Sequence, residues 1–222
     1  MKTRQILSRL LILLMTFGLA SCLGNDEPSG TTTASDFAVL TGYTTGGANF
    51  QVETSTGGLV TLYTTDSSIL DPEKYPVGSR VFLNYLMNYP VDINLPVKIS
   101  LSSVFPVSTV IPDDAPASDC KLDYKAFAIT SIYPIGDYLN IAASIERAEN
   151  RTWKCLLNTQ TSTDDIAELY LITEADKTES IGTTAAISIN IQSLRRTKKE
   201  IRLHINNHQS SDYVYTFKTS EI

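Results

Sequence analysis

The chain has 222 residues, a formal net charge of −6, and 42% hydrophobic against 19% charged residues. The apolar fraction suffices for one large or two small cores and excludes a disordered chain. The acidic balance argues against nucleic acid and anionic lipid as partners.

The first 21 residues read as a leader rather than as part of a fold. Lys2, Arg4 and Arg9 form a positive start, Leu10 to Leu14 with Phe17 an apolar run, and Leu19-Ala20-Ser21-Cys22 a bacterial lipobox. From Leu10 to Ala20 the apolar stretch is about half of the ~20 residues needed to cross a bilayer. The expectation is therefore export, cleavage before Cys22 and lipid attachment to its thiol, which places the protein on the cell envelope, on the outer membrane facing periplasm or cell surface. Each buried CH₂ contributes about 0.8 kcal/mol, so two or three acyl chains hold such a protein on a membrane without further lipid contacts. Losing the leader removes three of the 18 cations and none of the 24 carboxylates, which leaves a net charge of about −9.

Residues 22–35 are rich in Gly, Pro, Thr and Ser and read as a flexible tether. Asn25-Asp26-Glu27 within it resembles the short acidic runs that direct some lipoproteins to the surface, although a hydrated linker explains it as well.

Residues 36–112 read as a small domain of about five strands. Phe37 to Tyr43, the alternating Phe50 and Val52, a Ser55-Thr56-Gly57-Gly58 turn and Leu59 to Thr65 predict a meander. Arg80 to Met87 is apolar on both faces, as a strand covered on both sides should be. Val97 to Leu101 and Val104-Phe105 complete the set. Five strands in this length fit a barrel of the oligonucleotide/oligosaccharide-binding (OB) type. Ile111 to Ser118, with two prolines and an Asp pair, predicts a break in the ladder.

Residues 113–222 alternate more cleanly. Tyr124 to Ile129, Leu139 to Ile145, Trp153 to Leu157, Ala167 to Leu171, Ala185 to Ile191, Ile201 to Ile205 and Tyr213 to Phe217 predict about seven strands, with the second and third joined as a hairpin. That number suits a β-sandwich of immunoglobulin-like size. Short helical turns fit only at Thr163 to Leu169 or Ser193 to Lys198. The predicted fold class is all-β, an OB-like barrel followed by an immunoglobulin-like sandwich.

No residue pattern predicts catalysis, a cofactor or a metal. His204 and His208 have a metal-like spacing only on a helix, whereas here His204 falls at a solvent-facing strand position. Arg195, Arg196, Lys198 and Lys199 form a basic knot between strands. Asp113-Asp114 and Asp164-Asp165 lack the pattern of a calcium loop. Gly46-Gly47 and Gly57-Gly58 are hairpin glycines. Cys120 and Cys155 remain after lipidation of Cys22. Bridged, they would contribute about 4 kcal/mol in the chain-entropy treatment; unbridged, they are two buried thiols. Aromatic residues crowd the first domain. Most must fill its core, and Tyr85 with Asn84 and Tyr89 is the candidate exposed ligand face.

Three features together carry a family resemblance. The lipobox with its acidic tether, the run Tyr75-Pro76-x-Gly78-x-Arg80-Val81 leading to Asn84-Tyr85, and the late strand Tyr213-Val214-Tyr215-Thr216-Phe217 resemble the NigD-like lipoproteins of Bacteroidales. The resemblance spans the mature chain and implies an N-terminal OB-like domain, a C-terminal β-sandwich and no catalytic residues. It points to a binding or scaffolding role at the envelope with a protein, peptide or glycan partner, or to a part in bacteriocin production or immunity; a hydrolase is the remaining alternative.

Overall fold

The computed structural model describes residues 30–122, 128–207 and 210–222. The leader, Cys22 and the first part of the tether lie outside the described residues, as do most of Tyr124 to Ile129 and His208.

The meander forms as predicted, from β1 (Gly30–Thr44), β2 (Gly47–Glu53) and β3 (Leu59–Thr64). Its tight turns are set by glycine: Gly46 and Gly57 take positive φ, and a Cβ on Gly47 would collide with the backbone carbonyl of Thr64. β4 (Arg80–Tyr89) pairs with β1 and with β5 (Val97–Val110), and the start of β5 returns in parallel to β3 at Leu62 and Tyr63. The pairing circuit β1-β2-β3-β5-β4-β1 closes the sheet on itself, which is the OB barrel. Leu40, Phe50, Leu83 and Ile99 fill its interior. Leu70 and Tyr75, from the β3–β4 connection, plug one end; Tyr75 donates its hydroxyl to the Val104 carbonyl at 3.0 Å.

Two expectations change here. Gly30 to Ser35, read as tether, belongs to β1 and pairs with Asn84 to Tyr89. The β-branched Thr31 to Thr33 suit an extended chain, and β4 offers them a partner edge. The two separate segments Val97–Leu101 and Val104–Phe105 are one strand, whose irregularity opposite Asn84/Tyr85 lets it bend without ending.

β5 also leaves the barrel. Its last residues, Val107 to Val110, pair in parallel with Ala186 to Ile189 of β11 (Lys177–Asn190). The next elements are β6 (Pro112–Ala115), β7 (Ala128–Ile135), β8 (Tyr138–Glu149), β9 (Thr152–Asn158) and β10 (Ile166–Glu174). After β11 come α1 (Gln192–Thr197), β12 (Glu200–Asn207), β13 (Ser210–Lys218) and a final 3-10 turn. One face of the sandwich is β5-β11-β8-β7 and the other β13-β12-β10-β9-β6. Leu139, Ile141, Leu169, Ile187, Ile189 and Ile201 lie between them, almost wholly buried.

β8 and β9 do not form the predicted hairpin. They lie in opposite sheets, joined through Asn150 at φ 51°, and send Ile141 and Cys155 into one core from its two sides. Alternation alone cannot separate these outcomes, because both bury every second residue. Pro112 does not end the ladder either. It opens β6, which pairs in parallel with β9 at the sheet edge, where a missing donor is tolerated. Of the two helical turns considered, Ser193 to Lys198 overlaps α1, while Ile166 to Glu174 is strand.

Candidate functional site

The barrel and the sandwich share a third, smaller core. Phe37 of β1 and Phe82 of β4 point out of the barrel onto Ala142 of β8 and Ala186 of β11, with Phe105 and Tyr133 at the edges. This is the second apolar face of the β4 segment. The Phe37 and Phe82 rings sit 4.9 Å apart, and Tyr133 meets Phe37 edge-on at 6.1 Å.

A polar weld lies beside these rings. The Arg80 guanidinium stacks on Tyr138, 3.9 Å from the ring centroid, and donates to Asn140 Oδ1 at 3.1 Å and Ser188 Oγ at 3.3 Å. Ser188 in turn donates to Asn140 Oδ1 at 2.7 Å. Asn140 and Ser188 are directly opposed on β8 and β11 and are buried. Burial pulls the Arg80 guanidinium below its usual range, and Tyr138, Glu53 and Tyr133 offset part of that.

A small cleft opens next to the weld, where β1 and β2 part company beyond Val39 and Gln51. Asp36, Glu53, Arg80, Tyr133 and Asn140 line it, and it encloses about 90 Å³. Typical small-molecule pockets hold ~300–1,000 Å³. Asp36 accepts a 2.5 Å hydrogen bond from Tyr85. Burial raises the Asp36 carboxyl above the usual range, and the Tyr85 bond partly opposes it. Burial, then the nearby Asp36, push Tyr133 up to about 12. These charges and dipoles hold one another in place, and the arrangement orients a junction.

The structure sends two of the predicted ligand residues, Asn84 and Tyr85, to opposite sides of β4. Tyr85 is 4% exposed and points into the barrel, whereas Asn84 points out, accepts from Ser35 at 2.6 Å and donates to Ser103 at 2.8 Å. Adjacent strand residues alternate sides, so Asn84 and Tyr85 cannot cooperate. The side chain of Tyr89 lies outside what is described.

Cys120 and Cys155 stand as two free, buried thiols, so the bridge option is not realised in this structure. Cys155 belongs to the sandwich core, where burial drives its thiol far above the ordinary range; Cys120 follows the β6 edge, and burial raises it too. His204 is not solvent-facing. It lies 2.7 Å from Glu168 Oε2 and stacks on Tyr170 at 4.2 Å, and Glu168 also takes Arg202 at 3.1 Å. Three of the four residues of the basic knot have partners within the chain: Arg195 donates to Gly136 O and to Ile222 O, Lys198 to Thr163 O, and Lys199 to Asp165. Among the described residues no three His, Cys, Asp or Glu side chains cluster as metal ligands, and no helix is long and apolar enough to cross a membrane.

The Arg80, Asn140, Ser188 and Asp36 constellation escaped the sequence reading. Asn140 sat at a position that alternation assigned to solvent. Arg80 did carry a signal, as part of the Tyr75-Pro76-x-Gly78-x-Arg80-Val81 run. Each named member of that run now has a structural duty: Tyr75 plugs the barrel, Pro76 O accepts from Ser79 N, Gly78 turns at φ 93° and donates to Leu40 O, Arg80 makes the weld and Val81 enters the core.

No protein-family model matches the sequence, and no curated protein matches it. Solved structures do match in fold. A protein of unknown function, DUF1344, from Bacteroides vulgatus is 17% identical at a TM-score of 0.57, over 84% of this chain and 90% of its own. A NigD-like immunity protein from Bacteroides caccae is 14% identical at 0.53, over 84% and 98%. The chain has the NigD-like fold. A candidate lipoprotein from Bacteroides fragilis shares it at 10% identity and 0.51, over 84% and 97%. The sequence resemblance to NigD-like lipoproteins is thus upheld at the level of architecture.

Proposed function

We propose that the protein is a lipid-anchored lipoprotein of the cell envelope, attached through Cys22, whose role is binding or scaffolding without catalysis. The observation that carries this reading is the use to which the cleft charges are put: Arg80 and Asp36 are half-buried and committed to Asn140, Ser188, Tyr138 and Tyr85. Such a site joins two β units into one presenting surface. The lipobox supports the anchor, and a lipoprotein among the fold neighbours supports the location. An outer-membrane site, facing periplasm or surface, is part of the proposal.

The immunity protein among the neighbours favours a second, narrower reading, in which the partner is a bacteriocin or its target. Affinity capture of the full lipidated chain from native membranes tests both. A stoichiometric envelope protein is expected, and a bacteriocin or its receptor would select the narrower reading. Recovery of no partner from crosslinked membranes, together with turnover of a glycan or peptide substrate abolished by Asp36→Asn, would overturn the non-catalytic reading.

A further inference from the structure

The start of β1 and one exposed apolar loop share an end of the barrel. Gly30 pairs with Tyr89, the last residue of β4, and the next residues, 90–96, connect β4 to β5. In that connection Leu95 N donates to Asp92 O at 3.1 Å, and both Asn94 nitrogens donate to Asp92 Oδ1 at 3.0 Å. Val91 packs inward against the barrel core. Ile93 and Leu95 are held outward, 61% and 62% exposed.

Eight residue steps separate Cys22 from Gly30, a span of at most about 28 Å even fully extended. The body is longer than this leash, since β5 alone, at ~3.3 Å per residue, follows a path of about 45 Å from Val97 to Val110 even with its bend. The anchor therefore keeps the 90–96 end within about the leash's reach of the bilayer, nearer than the far end of β5 can be held. There the effective concentration of lipid surface is high enough for a weak second contact to persist.

Resting on the lipidation of Cys22 proposed above, we infer that Ile93 and Leu95 seat the barrel tip in the surface of the membrane that holds the anchor. Bulky apolar side chains on a fixed turn lose little freedom on insertion. The local charge is nearly balanced, with Asp92 occupied by Asn94 and Lys98 just beyond, so the contact needs a lipid surface rather than anionic headgroups. The barrel would then stand tip-down and present the sandwich to its partner.

The test uses the full, lipidated chain in phosphatidylcholine vesicles, with an environment-sensitive NBD label on Ile93→Cys, Leu95→Cys or Ile111→Cys. Cys120 and Cys155 are buried and Cys22 is acylated, so the new thiol is the reactive one. Ile111, exposed just past the far end of β5, is the control. Blue-shifted emission at 93 and 95, quenched several-fold more by doxyl-labelled lipid than at 111, is expected. Equal quenching at all three positions on vesicle-bound protein overturns the tip contact and leaves the anchor standing. A mass without acyl groups and failure to float with vesicles overturn the anchor itself. A blue shift that grows with protein concentration in the absence of lipid assigns the patch to a second copy of the chain and overturns the membrane contact.

Discussion

Phe82→Ala is the most direct probe of whether barrel and sandwich act as one body. Phe82 is 7% exposed, with Phe37 at 4.9 Å and Phe105 at 6.5 Å between ring centroids. Truncating a core Phe to Ala removes ~3–5 kcal/mol, and aromatic pairs add ~0.5–1.5 kcal/mol beyond area. The neighbouring cleft lets the site relax, which argues for the lower end, about 3 kcal/mol. At ~2–4 °C per kcal/mol for a chain of this size, Tm should fall by about 6–12 °C. The single tryptophan, Trp153, packs against the sandwich core, so its fluorescence reports that unit alone, while near-ultraviolet circular dichroism adds the tyrosines of the barrel. Both signals should move together, because β5 runs through both the barrel and the sandwich. An unchanged Trp153 midpoint beside a weakened barrel would refute the reasoning, and so would a total loss under ~1 kcal/mol.

Other outcomes follow from single sites. Asp36→Asn keeps an acceptor for Tyr85 while removing a half-buried charge. The native carboxyl titrates above its unfolded value, so its contribution to stability is fully present below the unfolded value and is lost as pH rises through the folded one. The variant should therefore equal or exceed the parent at pH 7, with the gap closing towards pH 4; urea midpoints across that range that favour the parent at pH 7 would contradict this. Gly47→Ala drives a Cβ into the Thr64 carbonyl and should lower stability by about 1–3 kcal/mol in urea unfolding. Two thiols should react with a maleimide only after unfolding without reductant; mass spectrometry showing none would mean that Cys120 and Cys155 are bridged in the cell-derived protein.

Residue alternation and turn chemistry were enough to indicate an all-β body, the three-stranded meander and a β4 covered on both faces. These are local properties: side chains alternate with period two, and glycine marks the turns. Burial of a polar residue is not local. Asn140 and Ser188 alternate like surface positions, and only the arrival of Arg80 from the barrel turns them into a junction. His204 likewise looks exposed until Glu168 and Tyr170, two strands of chain away in sequence, close over it.

The strand pattern and the resemblance in the Tyr75 to Val81 run lay in the order of residues, because each depends on neighbours a few positions apart. Which sheet received β8 and β9, that β5 serves two units, that Gly30 to Ser35 joins a strand, and that Tyr85 faces inward were decided by pairings across tens of residues. A period-two pattern states that every other side chain is buried. It carries no information on which distant strand does the burying.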